Sequence, residues 1–426
     1  MKRYFKDKKI TVIGLGLLGR GVGDVEFLVK NGADLIVTDL KLPTELKPSL
    51  KKLRKYKSIE YVLGKHRLQD FRDRDMILKS ADVKPDSPYI KEAEKNKIPV
   101  EMSASLFAKL ASATIIGVTG TRGKTTTVHM IYEILKSAQK CVFLGGNIKG
   151  ISTLALLGKV KKSDIVVMEL DSWQLKGFGK NKISPHISIF TNLLSDHMNY
   201  YKNNMNKYFK DKTNIFKYQK RNDYLITGKE VAKKIKRKSI VPKPLPKNWK
   251  LKIIGGHNRE NAAFALTAAS VAGVSQKIIK KTIENFKSAE GRLQYLKTIH
   301  GIKIYNDTTA TTPDATIAAL KAIGKNQNII LIMGGTDKGL DMSGLIKEIP
   351  KYCKAVILLD ETGTRKLKNL KFKYRNANNL KNAIKFAVKD AKCGDTILFS
   401  PAFASFGMFK NEYDRGDKFN SLVNSL

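Results

Sequence analysis

The apolar run Ile115-Ile116-Gly117-Val118 leads directly into Thr119-Gly120-Thr121-Arg122-Gly123-Lys124-Thr125-Thr126. Val128, Ile131, Ile134 and Leu135 then recur at helical spacing. A buried strand joined to a helix by a glycine turn is the building unit of a parallel α/β sheet. Its turn leaves backbone N–H groups and a helix N-terminus facing one point, which suits phosphate. Lys124 would neutralise a triphosphate, and the Thr125 hydroxyl could ligate Mg²⁺. The position five before Gly123 is Val118, so the strict G-x4-G-K-[ST] spacing fails. T-G-T-R-G-K-T-T stands instead. The context still reads as an ATP site formed by Gly120, Thr121, Arg122, Gly123, Lys124, Thr125 and Thr126.

A chain of 426 residues exceeds what one hydrophobic core usually supports, so two or three domains are expected. Cys141, Cys353 and Cys393 share no metal-ligand spacing and make a disulfide framework an unsuitable reading. Met1-Lys2-Arg3 ahead of the apolar Ile10–Leu18 has the outline of a leader. It lacks a small-residue cleavage site and carries glycines in phosphate-loop order. No apolar run approaches the roughly 18 residues of a membrane span, and a cytoplasmic protein is expected. The net charge of +41 raises the question of a nucleic-acid partner. Lysines are scattered over every segment, and the clusters at 233–238 and 243–252 lack regular aromatic interleaving. The scatter reads as a lysine-biased composition, which would also suit small anionic substrates, and no nucleic-acid or membrane partner is expected.

Residues 9–14 read as a strand, followed by Gly14-Leu15-Gly16-Leu17-Leu18-Gly19, a helix to about Gly32 and a strand ending at Asp39. This is a dinucleotide-type fingerprint, with Asp39 placed to meet a ribose or base. It admits NAD or a UDP-sugar equally. Further β/α alternation closes a first domain near residue 111. In the second unit, strands at 165–170 and 186–192 end beside Glu169 and beside Asp196-His197, where a parallel sheet assembles its site. Glu169 supplies the oxygen that a hard divalent cation prefers. Residues 207–217 form an amphipathic helix carrying Lys212, and 229–252 reads as an exposed basic excursion. A third unit opens near Gly291-Arg292 with a hairpin over 293–304, and its strands at 328–333, 355–359 and 396–399 alternate with helices. The fold expected is α/β. It comprises three Rossmann-like α/β domains at 1–111, 112–288 and 289–426, the central one a P-loop domain with a parallel sheet.

In this order the motifs resemble the Mur ligases over essentially the whole chain. The matching strings are T-G-T-R-G-K-T-T (119–126), G-G-N-I (145–148), E-L-D-S-W-Q-L (169–175), T-N-L-L-S-D-H-M (191–198), H-N-R-E-N (257–261), N-D-T-T-A-T (306–311), G-G-T-D-K (334–338) and S-P-A-F-A-S-F-G-M-F-K-N-E-Y-D-R-G-D (400–417). The last string points to the D-glutamate-adding branch of peptidoglycan synthesis.

The resemblance implies a set of roles. Lys124 and Thr125 would hold the β/γ-phosphates and Mg²⁺, with Glu169 as a metal ligand. His197 and Lys212 would border a second Mg²⁺, and the lysine at the Lys212 position is carbamylated in this family. Asn258, Asn261, Arg292 and Asp307 would contact ATP. Leu17, Leu18, Asp39 and Ser80 would meet the uridine diphosphate, and Asn147 the muramoyl portion. Thr311, Lys338, Ser405 and Phe406 would hold D-glutamate. The implied partners are UDP-N-acetylmuramoyl-L-alanine, D-glutamate and ATP, and a monomer is the default expectation. Five positions depart from the family pattern. Ala81-Asp82 replaces a usual Pro-Gly, Gly291 a histidine, Thr309 a frequent lysine and Gly407 a frequent aspartate. Competing expectations are a ligase of the same superfamily with another amino acid or a folate substrate, a nucleic-acid-binding P-loop ATPase, and a dehydrogenase.

Overall fold

The computed structural model describes residues 2–196, 198, 200–367 and 371–426. Three sheets follow one another along the chain. The first holds β1 (Lys9–Ile13), β2 (Asp34–Asp39), β3 (Glu60–Leu63), β4 (Met76–Lys79) and β5 (Val100–Glu101). Its order is β3-β2-β1-β4-β5, with every pairing parallel. The second holds β6 (Thr114–Thr119), β7 (Val142–Gly146), β8 (Ile165–Glu169), β9 (Ile187–Phe190) and β10 (Tyr224–Thr227). It is again all parallel, in the order β10-β9-β6-β8-β7. Strands such as Ile329–Met333 and Ile187–Phe190 are buried at every position, as parallel strands covered on both faces must be.

The third sheet contains β11 (Gln294–Ile299), β12 (Ile302–Asn306), β13 (Ile329–Met333), β14 (Cys353–Leu359), β15 (Tyr374–Ala377) and β16 (Thr396–Phe399). Its order is β11-β12-β16-β13-β14-β15, and the expected hairpin is the antiparallel pair β11/β12 at its edge. The α/β reading with three Rossmann-like sheets holds. The chain forms two compact units, one of residues 1–243 with 264–279 and one of 244–263 with 280–426. The first two sheets share the first unit, and the third sheet forms the second. The basic segment at 229–252 is less exposed than its composition suggests. Leu245 and Trp249 are buried, and the Arg259 guanidinium donates to the carbonyls of Leu245, Pro246 and Trp249.

In the first unit the two sheets are tied by a buried carboxylate. Asp24, on the helix Arg20–Lys30, accepts from Ser103 Oγ at 2.8 Å and from Ser152 Oγ at 2.5 Å. Those two hydroxyls in turn accept from the N–H groups of Leu154 and Ala155. Burial pushes the Asp24 carboxyl up to about 6. The folded state therefore binds its proton more tightly than the unfolded chain, and this site favours folding as pH falls from 7 towards 4. Asp24→Asn is expected to leave the fold intact, to raise the melting temperature near pH 7.5 and to remove this part of the pH dependence. Thermal melts at pH 5 and 7.5 check it, and a clear loss of stability at pH 7.5 would contradict it.

Candidate active site

The phosphate loop follows from local chain chemistry. Gly120 (φ 146°) and Gly123 (φ 84°) lie in the region that favours glycine, and Gly123 caps the helix Lys124–Ser137. A Cβ at Gly120 would collide with the Thr191 hydroxyl, so β9 closes against the loop. The loop is held from that side by several bonds. Asn192 accepts from Thr121 N at 3.0 Å through its carbonyl and from Arg122 N at 2.8 Å through Oδ1. The Thr191 hydroxyl donates to Arg122 O at 2.7 Å, and Arg122 pairs with Asp196 at 3.0 Å. Asp196 lies at the strand end where the sequence places the site, whereas nothing local signals that Asn192 clamps the loop.

Lys124 Nζ donates to Gly120 O at 3.1 Å and to Thr121 O at 3.2 Å. Lys212, on the helix Met205–Thr213, donates to the same Gly120 carbonyl at 2.9 Å and to Thr119 Oγ1 at 3.2 Å. It is 1% exposed, and its ammonium lies 4.8 Å from the Tyr208 ring centre. Burial first, then repulsion from Lys124, pulls the Lys212 amine well below the usual lysine range. The two lysine nitrogens thus meet at one carbonyl oxygen of the phosphate loop.

The Thr125 hydroxyl donates to Glu169 Oε2 at 2.7 Å, and Glu169 is buried at the end of β8. A hydroxyl and a carboxylate at the phosphate loop are the oxygen donors a hard divalent cation takes, so these residues fit Mg²⁺. Among the described residues no group of three or more His, Cys, Asp or Glu side chains could hold a metal alone. His197, the other expected metal neighbour, lies outside the described residues. Thr126 is buried in the first turn of the helix.

At the end of the first sheet, Asp39 is buried and accepts from Gly16 N and Lys41 N, both at 2.9 Å. It thereby shapes the loop carrying Leu17 and Leu18. Leu18 O accepts from Gly150 N at 2.8 Å, and Arg20 donates to Asn147 Oδ1. The expected uridine and muramoyl contacts are thus joined within one unit, through an arginine that sequence reasoning missed. Ser80 bonds to Asp82 through its hydroxyl, while Lys79 donates to Ser80 O and Val83 O. Burial lowers the Lys79 amine to about 8.

The second unit gathers the remaining residues. Asn258 Nδ2 donates to Ile254 O at 2.8 Å and Asn261 Nδ2 to Asn258 Oδ1 at 3.3 Å. Asp307 accepts from Leu293 N and Ser400 Oγ, both at 2.9 Å, beside Arg292. Burial pushes its carboxyl up to about 7. Lys338 Nζ donates to Thr311 Oγ1 at 3.2 Å. Ser405 is buried, whereas Phe406 is 68% exposed. Sequence reasoning also missed Arg415, which is fully buried. Its guanidinium donates to Thr308 O, Thr308 Oγ1, Phe403 O and Ala404 O, joining the loops that carry Thr311 and Ser405. The signal available was its place inside the 400–417 string.

Comparison with known proteins agrees with this arrangement. Residues 8–101 match the family "Mur ligase MurD-like, N-terminal domain", 118–244 the "Mur ligase middle domain", and 291–403 the "Mur ligase, glutamate ligase domain". The UDP-N-acetylmuramoylalanine–D-glutamate ligase of Borreliella afzelii is 36% identical over 453 residues, covering 99% of this chain and 98% of that protein. Among solved structures, UDP-N-acetylmuramate-alanine ligase from Thermotoga maritima aligns with a TM-score of 0.66 at 21% identity, covering 98% of this chain and 99% of that one. The MurF ligase of the same organism, solved with ADP, aligns with a TM-score of 0.61 at 17% identity over 100% and 97% of the two chains. The chain belongs to the Mur ligase family.

Proposed function

We propose that this chain joins D-glutamate to UDP-N-acetylmuramoyl-L-alanine with consumption of ATP, as a step of peptidoglycan precursor synthesis. The observation that carries the chemistry is the Lys124 loop with the Thr125–Glu169 pair at its side. The full-length likeness to D-glutamate ligases supports the substrates.

In this reading the carboxylate of the UDP-substrate attacks the γ-phosphorus, the bond to the β-phosphate oxygen breaks, and ADP leaves. The D-glutamate ammonium gives up one proton to solvent, and the free amine attacks the resulting acyl phosphate. Phosphate departs with the electron pair and takes up the proton that the attacking nitrogen loses, and an amide remains. Mg²⁺, held by Thr125 and Glu169, would neutralise charge on the phosphates. The loop N–H groups and Lys124 hold the triphosphate, and Arg292 meets its γ-phosphate. Asn258, Asn261 and Asp307 contact ATP. Leu17, Leu18, Asp39, Ser80 and Asn147 hold the UDP-substrate, and Thr311, Lys338, Ser405 and Phe406 hold D-glutamate. A neutral Lys212 Nζ has the lone pair that CO₂ requires. The new N–C bond releases one proton to solvent and yields an anionic carbamate that, with His197, would serve a second cation. We assign the domain limits 1–111, 112–288 and 289–426. We also assign a cytoplasmic monomer without a nucleic-acid or membrane partner. No helix among the described residues is long and apolar enough to cross a membrane.

Oxygen transfer tests the acyl phosphate. With ¹⁸O in the alanyl carboxylate of the UDP-substrate, one labelled oxygen is expected in the released phosphate. Turnover that leaves the phosphate unlabelled would overturn this mechanism.

A further inference from the structure

The polar residues assigned to D-glutamate are donors. Lys338, Thr311 and Ser405 suit its two carboxylates, whereas its ammonium carries only N–H donors and needs an acceptor. That need rests on D-glutamate being the substrate, as proposed for this chain. Most nearby acids are committed. Both Asp307 oxygens are taken by Leu293 N and Ser400 Oγ. Asp414 pairs with Lys418 at 3.0 Å, and Asp337 Oδ1 takes Gly339 N at 2.8 Å.

Glu361 differs. It follows β14 and stands where the Lys338 loop meets the Ser405 loop, which exchange backbone bonds between Thr336 and Ala404 at 2.9 and 3.1 Å. Its carboxylate accepts from Met408 N at 3.2 Å and Thr336 Oγ1 at 3.4 Å, both long bonds from neutral donors. It fills the space where a Cβ at Gly407 would lie. The side chain is only partly buried. The donors of the neighbouring Arg415 go to backbone oxygens and Thr308 instead. A carboxylate held between the loops that carry Lys338 and Ser405 retains acceptor capacity.

We propose that Glu361 binds and orients the ammonium of the incoming amino acid. Glu361→Gln keeps the shape and an acceptor for Met408 N but removes the charge. The KM for D-glutamate is expected to rise about tenfold or more, the loss of a charge-assisted hydrogen bond. The KM values for ATP and the UDP-substrate should stay within about twofold. Glutarate, which has both carboxylates and no ammonium, should inhibit wild type and variant equally or the variant more tightly. Equal weakening of D-glutamate and glutarate, or no change in the D-glutamate KM, would overturn the proposal. Gly407 has no positive φ, so it accepts a side chain once Glu361 is shortened. Glu361→Ala combined with Gly407→Asp should recover much of the D-glutamate affinity lost in Glu361→Ala alone. A double variant no better than the single one counts against the assignment. A wild-type enzyme indifferent to D-glutamate would instead sink the proposed function itself.

Discussion

Lys124→Ala is expected to lower turnover by about 10³-fold or more while leaving the fold in place. The ammonium would sit against the charge that develops on the transferred phosphoryl group, where one fixed cation is worth several kcal/mol. Its structural bonds are to Gly120 O and Thr121 O, and Lys212 also supplies a donor to Gly120 O. Removing one of two repelling ammonium groups also eases the burial of the other, so Lys212 becomes easier to protonate. Steady-state kinetics and a thermal melt on the same preparation check this. Near-normal turnover would remove Lys124 from the site.

Lys212→Met should separate activity from stability. Turnover is expected to fall by about 10²-fold or more, because no amine remains. Stability at pH 7 should be unchanged or higher. The folded-state amine is held well below the unfolded value of 10.5, so the unfolded chain binds more protons across that interval. The lysine therefore costs stability at neutral pH, and this cost shrinks as pH rises. Methionine fills a similar volume without a charge, and the wild-type gain in stability between pH 7 and 9.5 should flatten. Denaturant midpoints at those two values test the sign. A variant destabilised at pH 7 would show instead that the ammonium is structural.

How much the letters reveal depends on how local each feature is. The phosphate loop, the Gly14–Asp39 fingerprint and the β11/β12 hairpin are short-range patterns, and the structure has them where the sequence places them. Lys212 is legible as a residue, but the shared Gly120 carbonyl requires residues 92 positions apart to meet. The short strands Tyr224–Thr227 and Tyr374–Ala377 escape sequence reading, because four residues at a sheet edge carry little periodicity. Arg20–Asn147, Asp24 with its two serines, and Glu361 beside Gly407 are all contacts between distant segments. No local pattern announces them. The +41 charge comes with no nucleic-acid motif in the sequence, its lysines being scattered over every segment.

The most direct measurement is phosphate release from ATP and Mg²⁺ with UDP-N-acetylmuramoyl-L-alanine, offering D-glutamate, L-glutamate, L-alanine and L-lysine one at a time. Release that requires both the UDP-substrate and D-glutamate is the predicted result. Release with a different amino acid would keep the ligase chemistry and overturn the substrate assigned to the third sheet. Absence of release with all four, from a protein that still binds ATP, would contradict the assigned first substrate and direct attention to Ser80-Ala81-Asp82.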